Sequence, residues 1–118
     1  MYGNASNAKP EGAAQVKITV TQQHIDAADL SRKAMDGYKS STDCPVAISV
    51  RSIVKEGVLV RVYARDYELR MSGKDGVPLW YIAYLPPQAQ FAIVSWDNHR
   101  QFTLREFDLD IPYEYRKE

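Results

Sequence analysis

Apolar positions recur along this chain with two different periods, and the switches between them predict the order of its elements. Val16, Ile18 and Val20 fall at every second residue, separated by Lys17 and Thr19, the pattern of a half-buried strand rich in β-branched side chains. Thr21 follows, and its hydroxyl can accept an otherwise unpaired backbone N–H at a helix start. Residues 22–32 then form a candidate helix with Ile25, Ala28 and Leu30 facing inward. Beyond a polar loop at 36–43, Val46, Val50, Ile53 and Val54 recur at i, i+4, i+7 and i+8, one apolar stripe on a second helix. Asp43 or Cys44 caps this helix, and Pro45 falls in its first turn, where a missing N–H costs nothing. Gly57 suits its left-handed end, while Ser49, Arg51, Ser52 and Lys55 lie mostly off the stripe.

Residues 58–64 alternate again, with Val58, Val60, Val62 and Ala64 inward, and the phase then moves to Tyr67, Leu69 and Met71. A one-residue phase shift exchanges the two faces of a strand, so a bulge or tight turn is expected near Arg65 and Asp66. Residues 72–76 read as a hairpin loop and 77–85 as the returning strand. Pro86 and Pro87 open a third helix that turns Ala89, Ala92, Ile93 and Trp96 to the core, with Phe91 and Val94 widening the band. His99 and Arg100 suit the negative pole at its end. Over residues 104–115 a last strand alternates Phe107, Leu109 and Ile111 before Pro112 stops it. The order is β-α-α-β-β-α-β. It predicts an α+β fold, a mainly antiparallel sheet of about four strands with two to three helices, because no βαβ alternation calls for a parallel sheet.

Composition changes this picture in three ways. Residues 1–15, mostly Ala, Asn, Gly and Ser with Lys9, Pro10 and Glu11, have little to bury. They read as a disordered arm before a single domain at 16–118. Fifteen basic residues balance fifteen acidic ones, so no whole-molecule field draws the chain to nucleic acid or to an acidic membrane. Such neutrality also leaves little repulsion between copies, which keeps a homo-oligomer open. The single cysteine, Cys44, excludes an intramolecular disulfide and a paired-cysteine metal site. A start without a basic, apolar leader and the lack of an apolar run long enough to span a bilayer predict a cytoplasmic protein. On that reading the Asn4-Ala5-Ser6 sequon is not glycosylated.

Several segments together carry a resemblance. These are Ile18-Thr19-Val20-Thr21-Gln22-Gln23-His24-Ile25, Cys44-Pro45-Val46-Ala47-Ile48-Ser49-Val50, Tyr84-Leu85-Pro86 before a helix, and the alternating Phe107 and Leu109. They resemble a group of small proteins from actinobacteria and their phages that share a TVTQ-HI start, a CP-A-A helix and a Y-LP helix start. The likeness runs over residues 16–111 and breaks at an enlarged hairpin around 65–80 and at the N-terminal arm. It implies a phage or mobile-element origin and brings no activity, cofactor or site residue with it.

Candidate chemistry is sparse. Cys44 at a helix start is the sharpest suspect, since unpaired N–H groups there stabilise a thiolate. A nucleophile also needs a base, and nothing in the spacing brings His24 or His99 to it. The ordinary reading is a small packed residue. His24, three residues after Thr21, can bond back to the cap. Two distant histidines with Asp26 and Asp29 make no metal pattern. No phosphate loop or catalytic triad pattern occurs, so the expectation is a protein without enzymatic activity, cofactor or metal.

What remains is a surface. Arg61, Tyr63 and Arg65 are expected on one outward strand face, extended by Trp80, Ile82 and Tyr84 on the neighbouring strand. Basic residues among aromatics suit a protein interface, a single-stranded nucleic acid, or plain packing by cation–π contact. Glu106, Asp108, Asp110 and Glu114 form the solvent side of the last strand. They act either as a mimic of phosphate charge or, more ordinarily, as a guard on an edge strand. The expected function is binding and modulation of a host protein, for example inhibition of a bacterial defence nuclease. Nucleic-acid binding through Arg61, Tyr63 and Arg65 is the alternative.

Overall fold

The computed structural model describes residues 15–35 and 40–117. The expected arm therefore lies outside the described residues except for Gln15, and so does the 36–39 part of the first loop. Strand β1 (Gln15–Thr19) leads into helix α1 (Gln22–Ala34), then α2 (Pro45–Arg51), β2 (Leu59–Val62), β3 (Asp66–Ser72), β4 (Pro78–Tyr84), α3 (Pro87–His99) and β5 (Glu106–Asp110). A 3-10 turn at Tyr113–Tyr115 closes the described chain. The fold is α+β, with three helices and five antiparallel strands in the order β-α-α-β-β-β-α-β.

The sheet differs from expectation in its division. Of the bulge or tight turn expected near Arg65 and Asp66 the chain makes the turn, with Tyr63 N donating to Asp66 O at 2.8 Å. What reads as one strand with a phase shift is therefore two, β2 and β3. Together with β4 they make a three-stranded sheet in the order β2-β3-β4, while β1 and β5 pair as a separate two-stranded sheet. A turn reverses direction as well as phase, and alternation alone registers only the phase.

Both sheets place their alternating apolar residues in one core. Ile18, Val20, Phe107, Leu109 and Ile111 meet Val60, Val62, Tyr67, Leu69 and Tyr81 around α2. That helix is almost engulfed, with Pro45, Val46, Ala47, Ser49 and Val50 all buried. It is shorter than its stripe suggests. After Arg51 the chain turns at Ser52 and Ile53 and then pairs with the C-terminal segment, where Lys55 N bonds to Tyr115 O and Lys117 N to Ile53 O. Gly57, with φ +91°, therefore serves the turn before β2 rather than the helix end. Ser49, expected off the stripe, is buried and returns its hydroxyl to Val46 O at 2.9 Å.

The outer helices carry the other corrections. Leu30 is 70% exposed and Phe91 81% exposed, and Val94 also faces solvent. At about 100° per residue, positions two and five beyond a core residue fall on the far side of a helix. Leu30 stands two beyond buried Ala28; Phe91 and Val94 stand two and five beyond buried Ala89. Ala64, expected inward, is exposed in the turn after β2.

Candidate functional site

The outer face of the three-stranded sheet is set by its register. Arg61 of β2 stands beside Glu68 of β3, which stands beside Ile82 of β4. One step along, Leu59, Arg70 and Trp80 form the next row, and Asp66 lies beside Tyr84. Arg61 approaches Glu68 at 3.8 Å. Arg70 lays its guanidinium 5.1 Å from the centre of the Trp80 ring, where the ring's negative face attracts it. Trp80 nevertheless stays 36% exposed and Tyr84 62%, and Leu59 is also exposed on this face.

The register gathers Arg61, Trp80, Ile82 and Tyr84 on one face, while Tyr63 and Arg65 fall in the turn between β2 and β3. Strand β2 ends at Val62, so the expected row breaks after Arg61. Tyr63 borders a cleft of ≈ 170 Å³ shared with Ser40, Ser41, Cys44, Ile93 and Asp97. Arg65 lies on the other side of the turn, in an open groove of ≈ 460 Å³ with Pro87, Gln90, Phe91 and Val94. Arg70, the residue that stacks on Trp80, is absent from the sequence-based set. Its alternation with Glu68 and Ser72 places it on the outward side of β3, but only the register brings it to Trp80.

Cys44 behaves as a packed residue. It is the N-cap of α2, and Ala47 N donates to its Sγ at 3.4 Å. Burial pushes its thiol up to about 11, outweighing the backbone N–H groups of Ala47 and Val46 that favour the thiolate. The lowered pKa expected of a thiol at a helix start is thus reversed by desolvation. His24 does what its spacing suggests. Its backbone N–H donates to Thr21 Oγ1 at 3.2 Å, and its Nδ1 accepts from Thr21 N at 3.1 Å, closing a capping box.

No protein-family model, curated protein or solved structure matches the chain.

On the two-stranded sheet, Lys17 stands opposite Asp108 and Thr19 opposite Glu106. Glu106, Asp108 and Glu114 are exposed and Asp110 half-buried. Among the described residues no group of three or more His, Cys, Asp or Glu is placed to hold a metal ion, and no helix is long and apolar enough to cross a membrane.

Proposed function

We propose that this is a small non-enzymatic interaction protein that binds and modulates a host protein through the outer face of β2-β3-β4. The observation that carries the reading is Trp80. A large aromatic side chain stays a third exposed on the face that also exposes Leu59 and Tyr84, with an arginine already stacked on it. Tryptophan, tyrosine and arginine in that arrangement are the residues that anchor protein interfaces. Charge argues for protein over nucleic acid. Arg61 is matched by Glu68 and the whole chain is neutral, whereas a phosphate-binding face needs unmatched positive charge. The resemblance to actinobacterial and phage proteins favours a role in the cytoplasm of a bacterial or phage-infected cell, with inhibition of a defence nuclease as one instance.

The test is affinity capture from lysate of an actinobacterial host with the wild type, with Arg61→Ala/Trp80→Ala and with Phe91→Ala. The expected result is one captured protein lost with the sheet-face pair and kept with Phe91→Ala. Equal recovery by all three overturns the assignment of the face, as does loss with Phe91→Ala alone. Retention by nucleic acid that weakens steeply with salt would replace protein binding with the alternative reading.

A further inference from the structure

The edges of the two sheets are not treated alike by the sequence. An open strand edge is a template for another strand, and proteins blunt it with charge, bulges or covering chain. Strand β1 carries Lys17, and β5 carries Glu106, Asp108 and Asp110. Strand β2 carries Arg61, and loop chain holds both ends of its outer side. Val62 N donates to Ser41 O at 2.7 Å, and Val58 N to Lys55 O at 3.2 Å. Strand β4 is different: Pro78-Leu79-Trp80-Tyr81-Ile82-Ala83-Tyr84 contains no charged residue and lies at the other edge of the sheet.

The hydrogen-bond phase of β4 shows which groups that edge presents. Gly73 N donates to Val77 O at 2.7 Å, and Leu85 N donates to Arg65 O at 2.8 Å. In an antiparallel ladder bonded pairs alternate with unbonded ones. Leu79, Tyr81 and Ala83 therefore exchange bonds with Met71, Leu69 and Tyr67, their partners in the register. Trp80, Ile82 and Tyr84 direct their backbone N–H and C=O groups away from β3. Among the described residues, no backbone acceptor outside the sheet takes the N–H of Trp80 or Ile82.

We propose that the outer edge of β4 is a dimerisation edge, pairing antiparallel with the same edge of a second copy of this chain around Ile82. The strand is complementary to itself in that arrangement. Ile82 faces Ile82 of the second copy, Trp80 faces Tyr84 of the second copy, and the N–H groups of Trp80 and Ile82 on each strand supply about four intercopy backbone bonds. Aromatic side chains then meet across the strands on the outer face, a favourable cross-strand pair. No like charges are brought together within the strand, and neutral copies do not repel one another. A two-fold axis makes the contact self-limiting and joins the two three-stranded sheets into one of six strands. The outer faces of both copies become continuous and remain open, so the dimer stands whatever partner that face takes.

Sedimentation velocity over a dilution series of the wild type tests the proposal, together with amide exchange read at Trp80 and Ile82. The expected result is a mass that rises from 13.4 kDa to twice that value. Exchange at the two amides is expected to slow by about tenfold or more in the concentrated sample. Ile82→Lys, which sets two like charges face to face at the axis, and Ile82→Pro, which removes the central N–H, are both expected to sediment as monomers. A wild type that stays at 13.4 kDa throughout overturns the proposal. So does a dimer that survives both substitutions with unchanged circular dichroism. If the variants lose their fold, the wild-type exchange decides, and amides at Trp80 and Ile82 indifferent to concentration overturn the pairing.

Discussion

Two buried acids, Cys44 and Tyr67, set how this fold responds to base. The Cys44 thiol is raised from 9.0 to about 11 by burial. The Tyr67 phenol is pushed well above its ordinary value, chiefly by burial and then by the neighbouring Tyr81 and Asp110. Its hydroxyl donates to Asp110 O at 2.6 Å, a bond available only while the phenol keeps its proton. Both groups ionise more easily in the unfolded chain than in the folded one. Their contribution is therefore complete below about pH 9 and declines as pH rises through the folded value. For Cys44 alone the loss between about pH 9 and 11 is on the order of 2–3 kcal/mol. Urea unfolding followed from about pH 8 to about pH 11 should show this decline. Cys44→Ala is expected to flatten it, and an unchanged slope in that variant would show that the thiol is not the source. Alkylation of Cys44 at neutral pH should be slower in the folded protein than in urea, because the thiol is both shielded and un-ionised.

Among the elements, the junction of α1 with α3 turns on Arg32. Its guanidinium donates from Nη1 to Trp96 O at 2.5 Å and from Nη2 to Asp97 O at 2.9 Å, and lies 5.4 Å from the Trp96 ring centre. A positive fork at the last turn of α3 meets the carbonyls of Trp96, which Arg100 N also reaches at 3.0 Å, and of Asp97, at the negative end of the helix dipole. Arg32→Ala should lower stability by about 1.5–3 kcal/mol, the range for hydrogen bonds made by a charged group. Arg32→Lys should recover only part of the loss, since an ammonium cannot span two carbonyls as a planar fork does. Thermal unfolding of the three proteins is the measurement, and equal midpoints would mean that α3 docks without Arg32. The periodic stripe of α1 gives no hint of this contact, because Arg32 reads as one more polar residue at a helix end. Its partners lie 64 and 65 positions away.

At the scale of the whole molecule, two small sheets behave as one body because the same core joins them. The two-stranded sheet has too few strands to stand alone in water, and the three-stranded one has an apolar face that the core must cover. Helix α2 lies against both β1 and β2, and the Tyr67 hydroxyl ties β3 to the backbone of β5. Unfolding in urea should therefore be a single transition. Trp80 sits on the outer sheet face and Trp96 inside α3, so Trp80→Phe and Trp96→Phe variants allow each region to be followed separately by fluorescence. Coincident midpoints, corrected for the stability change of each variant, are expected. Separate transitions would show that the sheets come apart independently.

Much of the architecture is readable in the chain because its signals are local. A period of two or of three to four residues, Thr21 before a helix, and Pro45 after Cys44 each act over a single turn or a single pleat. They determine element type, and they place Val46, Val50, Phe107 and Leu109 in the core without reference to anything distant. The charges along β1, β2 and β5, and their lack along β4, are equally plain in the sequence. Only the tertiary structure decides what lies beside what. It divides the strands into two sheets, leaves Phe91 in solvent, buries Ser49, raises the Cys44 thiol, sets Arg70 over Trp80 and leaves Tyr63 and Arg65 in the turn between β2 and β3. Register and desolvation depend on segments far apart in the chain, and no local pattern encodes which of several compatible strands will arrive at a given edge.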